Sequence, residues 1–238
     1  MIYLLLAIFL VSWNLFIFNV RKKKRLDGFY FKGMTSFSFL LIFAYSVYTY
    51  MVNQDSGVNL LLLYYPPIRL IIFMGLGLVL GLIGDLFLEL QYFYPDNRIK
   101  QIRYGMIAFL VGHIFYILGM SFFDSFSYIS LIIGAFMVVV VFFASKLMKL
   151  DFKEIRIMSY LYTFVIFTMV GQSIILSINN DFNMFSLSFM VGAILFGISD
   201  LVLAPIYFGN KVSDIYVVAN LGTYYLGQVL IALSVMFL

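Results

Sequence analysis

Two aspartates stand inside long apolar runs, Asp85 in Ile83-Gly84-Asp85-Leu86-Phe87-Leu88 and Asp200 in Ile198-Ser199-Asp200-Leu201-Val202-Leu203. A carboxylate in an apolar surround is costly unless it is paired, hydrogen-bonded or protonated, so acids placed this way mark functional sites more often than packing sites. Like charges in one low-dielectric cavity resist ionising together, which leaves one acid able to donate a proton while the other accepts. General acid/base catalysis is one use of such a pair. Proton-coupled transport is a second, and a purely structural pair bonded to Tyr, Ser and Gln is a third.

Other polar residues could join them. Glu89 lies four residues after Asp85, on the same helix face, and close enough to an interface to reach water. His113 and Tyr116 share a face near the middle of a later run, and Gln228 can orient a group without titrating. Tyr162, Tyr224 and Tyr225 fall within apolar runs and need hydroxyl partners, which a polar cavity supplies. Lys32 opens the second run; it reads as one more topology charge after five basic residues, or as the partner of a phosphate or a carboxylate.

The elements that must position these groups are membrane spans. A spanning helix needs roughly 20 mostly apolar residues to cross about 30 Å of hydrocarbon. Eight such runs fall near 2–20, 34–52, 68–90, 104–122, 126–145, 156–177, 185–205 and 214–236. The fold class is therefore all-α, a polytopic transmembrane bundle forming one integral membrane domain over 1–238. The longest connection is 53–67, where Pro66-Pro67 predicts an extended turn before the third helix. Asp85 and Asp200 then sit at matched depth, about 8 Å inside the same end of the bundle.

Charge checks the count. With the N-terminus outside, the inner loops carry Arg21, Lys22, Lys23, Lys24, Arg25, Lys32, Arg98, Lys100, Arg103, Lys146, Lys149, Lys153, Arg156 and Lys211, leaving Arg69 outside. Both termini are expected outside. The first run is expected to be a retained span, because its basic residues follow the apolar stretch.

Composition narrows the classes further. Hydrophobic residues make up 64% of the 238 and charged residues 11%, too few charges to cover a water-soluble surface. The basic residues lie in short clusters suited to anionic membrane lipids, and no continuous stripe is left for nucleic acid. With no cysteine and one histidine, disulfides and thiolate sites are excluded, and a histidine-rich metal site is not expected.

An offset of 115 residues superimposes the two aspartate segments, carries Gly112-His113 onto Gly227-Gln228, and places Phe109 on Tyr224. Equivalent helices keep their orientation, so the simplest account is a parallel four-plus-four duplication.

Gly84-Asp85, Gly112-His113-Ile114-Phe115-Tyr116, the Tyr162 to Met169 spacing, Phe196-Gly197-Ile198-Ser199-Asp200-Leu201-Val202-Leu203-Ala204 and Tyr224-Tyr225-Leu226-Gly227-Gln228 together resemble the YhhN-type lysoplasmalogenases. The resemblance covers most of the chain, and the Ser199-Asp200 element is its most specific part. The family commonly has Lys-Pro at the start of helix two, where this chain has Lys32-Gly33. The resemblance implies a multi-pass cell-membrane enzyme that needs no metal or cofactor and hydrolyses the vinyl-ether bond of a lysophospholipid. The products would be a fatty aldehyde and a glycerophospho-headgroup. It also implies that Asp85 and Asp200 are the catalytic pair. Lys32, His113, Tyr116, Tyr162, Ser199, Tyr224, Tyr225 and Gln228 would then bind or orient substrate and water.

Overall fold

The structure, a computed structural model, describes residues 1–22, 24–53, 66–209 and 213–238. Among them are eight long helices and no strand: α1 (Ile2–Arg21), α2 (Arg25–Asn53), α3 (Pro66–Leu90), α4 (Arg98–Phe123), α5 (Tyr128–Leu147), α6 (Arg156–Asn179), α7 (Met184–Phe208) and α8 (Asp214–Ser234). Each is long and apolar enough to cross a bilayer, so the chain fits an integral multi-pass membrane protein.

Three boundaries depart from expectation. Pro66 and Pro67 open α3 as its first residues rather than forming a turn before it. A first-turn N–H has no intrahelical acceptor, so proline loses nothing there. Helix α2 starts at Arg25, and α4 starts at Arg98 after a short 3-10 turn, Pro95–Asn97. Charged residues thus continue these helices past the apolar core, because polar side chains outside the hydrocarbon do not end a helix. Lys23, Lys211 and most of the 53–67 connection lie outside the described residues.

The helices pack as the hairpins α1/α2, α3/α4, α5/α6 and α7/α8. Helix α2 lies against α3 and α8, while α6 lies against α7 and α4. Helices α1 and α5 are the most peripheral. Their outward residues, such as Val11, Ile132, Phe136 and Phe143, are exposed apolar groups that suit lipid and not water.

Two glycine crossings bring hairpin partners into backbone contact. A Cβ at Gly112 would meet the Gly77 carbonyl at 3.1 Å, and a Cβ at Gly227 would meet the Gly192 carbonyl at 2.8 Å. Close approach through small residues is how membrane helices gain packing area. The 115-residue offset relates these two crossings, as it relates the two aspartates. The parallel is one of packing, and common origin of the two halves remains a proposal.

Contacts at the ends of the hairpins define one pole of the bundle. Arg98 donates to the Tyr207 carbonyl at 3.2 Å, the Asp151 N–H donates to the Phe208 carbonyl at 3.0 Å, and the Arg25 guanidinium lies 4.1 Å from the Tyr92 ring centroid. This pole carries the end of α1 and the starts of α2, α4 and α6, and the polar cavity lies beneath it.

Candidate active site

The site is assembled from one face of each of several helices. On α2, Gly28, Lys32 and Ser36 recur every four residues; on α3, Asp85 and Glu89 do the same; on α8, Asn220, Tyr224 and Gln228 do so again. Four-residue spacing stacks side chains on a single face, so each helix presents a polar stripe inward and keeps apolar residues for lipid.

Lys32 lies between two acids, 3.7 Å from Asp85 Oδ1 and 3.4 Å from Glu89 Oε2, and all three residues are buried. Asp85 Oδ2 accepts from the Ser36 hydroxyl at 2.6 Å and from the Tyr224 hydroxyl at 2.6 Å. With its proton committed to Asp85, the Ser36 hydroxyl accepts from Tyr225 at 3.3 Å. Behind Tyr224, the Gln228 amide donates to its hydroxyl at 3.4 Å, and Tyr116 donates to the Gln228 carbonyl at 3.4 Å. Asp85 is thus held by one cation and two hydroxyl donors, the arrangement of a fixed carboxylate.

Asp200 has a different environment. It accepts from the Tyr162 hydroxyl at 2.8 Å, and no basic side chain among the described residues forms an ion pair with it. Its neighbour Ser199 is turned toward α8, where the Asn220 amide donates to the Ser199 carbonyl and hydroxyl, both at 2.9 Å. Ser199 therefore locks α7 to α8 beside Asp200 and does not face Asp200's partner.

Two cavities meet at Asp200. The first, the polar cavity of about 120 Å³, sets Lys32, Asp85, Glu89, Asn220, Tyr224 and Asp200 among apolar residues such as Phe16, Phe109 and Leu203. Lys24 and Arg25, both exposed, stand on its rim at the start of α2. The second, about 70 Å³, is lined mainly by apolar residues of α4 to α7, among them Met106, Val141, Ile166 and Phe167, together with Tyr162. Asp200, Phe109 and Tyr207 belong to both. Beyond Asp85, away from the rim, the Tyr116–Gln228 layer and the buried Met74, Leu78 and Phe189 fill the bundle.

Of the residues expected at the site, Lys32, Asp85, Ser199, Asp200 and Tyr224 line the polar cavity and Tyr162 lines the apolar one. Tyr116, Tyr225 and Gln228 stand behind Asp85 and Tyr224. His113 is in neither wall. Its Nδ1 turns back onto the Phe109 carbonyl of its own helix, and its ring packs edge-on to Phe196 at 4.5 Å. Lys32 does not open a helix; it lies two turns inside α2, where burial is possible because Asp85 and Glu89 surround it. Asn220 and Ser36 are site residues that the sequence reading left out. The four-residue stripes on α8 and α2 are the signal that picks them up.

Among the described residues no group of three or more His, Asp or Glu is placed to hold a metal ion. Asp85 and Glu89 instead share the Lys32 ammonium.

The sequence model of the YhhN family matches residues 29–235. The chain belongs to the YhhN family. No curated protein and no solved structure matches it. The YhhN match takes in both aspartates, Lys32, Ser36, Tyr162, Asn220 and Tyr224. The rim residues Lys24 and Arg25 precede it.

Proposed function

We propose that the protein is a membrane-embedded hydrolase that cleaves the vinyl-ether bond of lysoplasmalogens to a fatty aldehyde and a glycerophospho-headgroup. The observation that carries this reading is the position of Asp200 at the junction of a polar and an apolar cavity, with Asp85 in the polar one. An amphiphile with one chain would lay its hydrocarbon in the apolar chamber and its headgroup in the polar cavity, which sets the chain-proximal ether bond beside Asp200. YhhN membership fits that activity.

Vinyl ethers hydrolyse by acid catalysis, with needs like those of a glycosidase: one carboxylic acid and one carboxylate. Asp200, which has no ion-pair partner among the described residues and touches the apolar chamber, is the proton donor to the alkenyl carbon remote from the ether oxygen. The resulting oxocarbenium ion is stabilised by Asp85, which Lys32, Ser36 and Tyr224 hold as a carboxylate. Water in the polar cavity adds to the oxygen-bearing carbon and gives its proton to Asp85. The hemiacetal then breaks its carbon–oxygen bond to the glycerol, its hydroxyl proton passing to the departing oxygen. Cavity water returns the proton from Asp85 to Asp200.

The positive pole of the bundle is assigned to the cytoplasmic side of the cell membrane. Substrate then enters from the inner leaflet and both termini face outward. A carrier would instead open this cavity alternately to the two sides of the membrane.

The test is aldehyde release from detergent-purified protein given lysoplasmenylethanolamine beside its saturated alkyl-ether counterpart. Aldehyde from the vinyl ether alone is expected. No aldehyde, together with proton-coupled solute uptake in vesicles, would replace the enzyme with a carrier.

A further inference from the structure

We propose that Lys24 and Arg25 form a binding subsite for a phosphate-bearing headgroup at the rim of the polar cavity. The proposal rests on the hydrolase reading for its substrate, and on charge placement for its argument. Among the described residues, the basic side chains lining this cavity are Lys24, Arg25 and Lys32, and of these Lys24 and Arg25 are available to an anion. Lys32 is already matched by two carboxylates at 3.7 and 3.4 Å, so a phosphate brought to it would meet Asp85 and Glu89 as well. Lys24 has one partner, Asp27 at 3.8 Å, in an exposed pair three residues apart. Such pairs contribute little and exchange readily with water or another anion.

Arg25 is oriented for the task. Its guanidinium lies over the Tyr92 ring, 4.1 Å from the centroid, and Tyr92 lines the same cavity. A guanidinium held against a ring face keeps N–H donors for phosphate oxygens, and no hydrogen bond or ion pair among the described residues takes up those of Arg25. Along α2, Arg25 precedes Lys32 by seven residues, a separation of about 10 Å. The anion is therefore held at the rim, above the acids, while the uncharged part of the ligand reaches down to them. An anion any deeper would face net negative charge.

This reverses the assignment of phosphate to Lys32. Lys32 fixes Asp85, and the rim cations select the headgroup.

The experiment needs no turnover. Short-chain octyl-ether lysophosphoethanolamine and octyl glycerol, which lacks the phosphate, are titrated calorimetrically into purified wild type and into the Lys24→Gln/Arg25→Gln variant. Wild type is expected to bind the phospholipid at least roughly tenfold more tightly than octyl glycerol, the scale of one charge-assisted hydrogen bond. The variant should lose that difference and keep its affinity for octyl glycerol. Lys100→Gln, which removes an exposed charge outside the cavity walls, should bind both lipids as wild type does.

Inorganic phosphate separates two sources of the anion. Displacement of the lipid by phosphate in wild type shows a site for the free ion as well as the headgroup. Absence of displacement, with the lipid difference intact, shows a headgroup site alone; either supports an anion subsite. Equal affinity of wild type for the two lipids would overturn the subsite and leave the hydrolase reading to its own aldehyde assay. A variant that loses octyl glycerol as much as phospholipid would overturn it too.

Discussion

Replacing Lys32 by Met removes the cation that pairs with both Asp85 and Glu89. Met keeps most of the volume of the lysine stem, so the change is electrostatic more than steric. The buried side chains leave the two carboxylates without a counter-charge. Removing one partner of a buried ion pair costs about 3–5 kcal/mol, whereas an exposed pair costs far less. The polar cavity admits some water, which places Lys32→Met toward the lower end, about 3 kcal/mol.

Glu89→Gln alone should be milder, within about 1 kcal/mol, because Lys32 and Asp85 are left as a balanced pair. In the double variant, Glu89→Gln should recover about 1–2 kcal/mol of the Lys32→Met loss, since one of the two orphaned charges is gone. The assay is a double-mutant cycle on unfolding in mixed micelles, with the midpoint and slope of each variant recorded. Strict additivity would refute the reasoning. So would a Lys32→Met protein as stable as wild type, because the lysine would then be a solvated topology charge.

Tyr224→Phe removes a hydroxyl donor from Asp85 at 2.6 Å. Activity should fall roughly ten- to a hundredfold with folding intact, read from aldehyde release beside thermal unfolding. Gly227→Leu must push the α7 and α8 backbones apart, since even a Cβ there would sit 2.8 Å from the Gly192 carbonyl. A loss of about 1–3 kcal/mol is expected, while Gly222→Ala, with nothing within 4 Å of its added Cβ, should unfold as wild type does. Val141→Phe narrows the apolar chamber from α5. KM should rise for long-chain substrates and not for short-chain ones, and an equal rise across a chain-length series would detach that chamber from the substrate.

The spans were legible because hydrocarbon imposes length and charge exclusion on every residue of a helix. Helix ends were less so. Arg25 to Lys32 and Arg98 to Arg103 continue their helices through the charged pole, where hydropathy carries no signal. Asp85 and Asp200 stood out because a carboxylate in an apolar run has few bland explanations. Lys32 did not, because its meaning depends on Glu89, 57 residues away, and its sequence neighbours are topology charges. His113 stood out as the lone histidine in a span; its Nδ1 meets the carbonyl four residues earlier, its ring packs among aromatic rings, and its buried Nε2 has no partner among the described residues. Asn220 is a mid-helix amide whose role comes from its bonds to Ser199 across the hairpin.

The most direct measurement is the rate of aldehyde release from lysoplasmenylethanolamine by wild type, Asp85→Asn and Asp200→Asn, each checked for an unchanged unfolding midpoint. The account predicts loss of at least roughly a thousandfold in both variants, because each removes one half of an acid/base pair that acts as a unit. Near-wild-type release by either folded variant would contradict it.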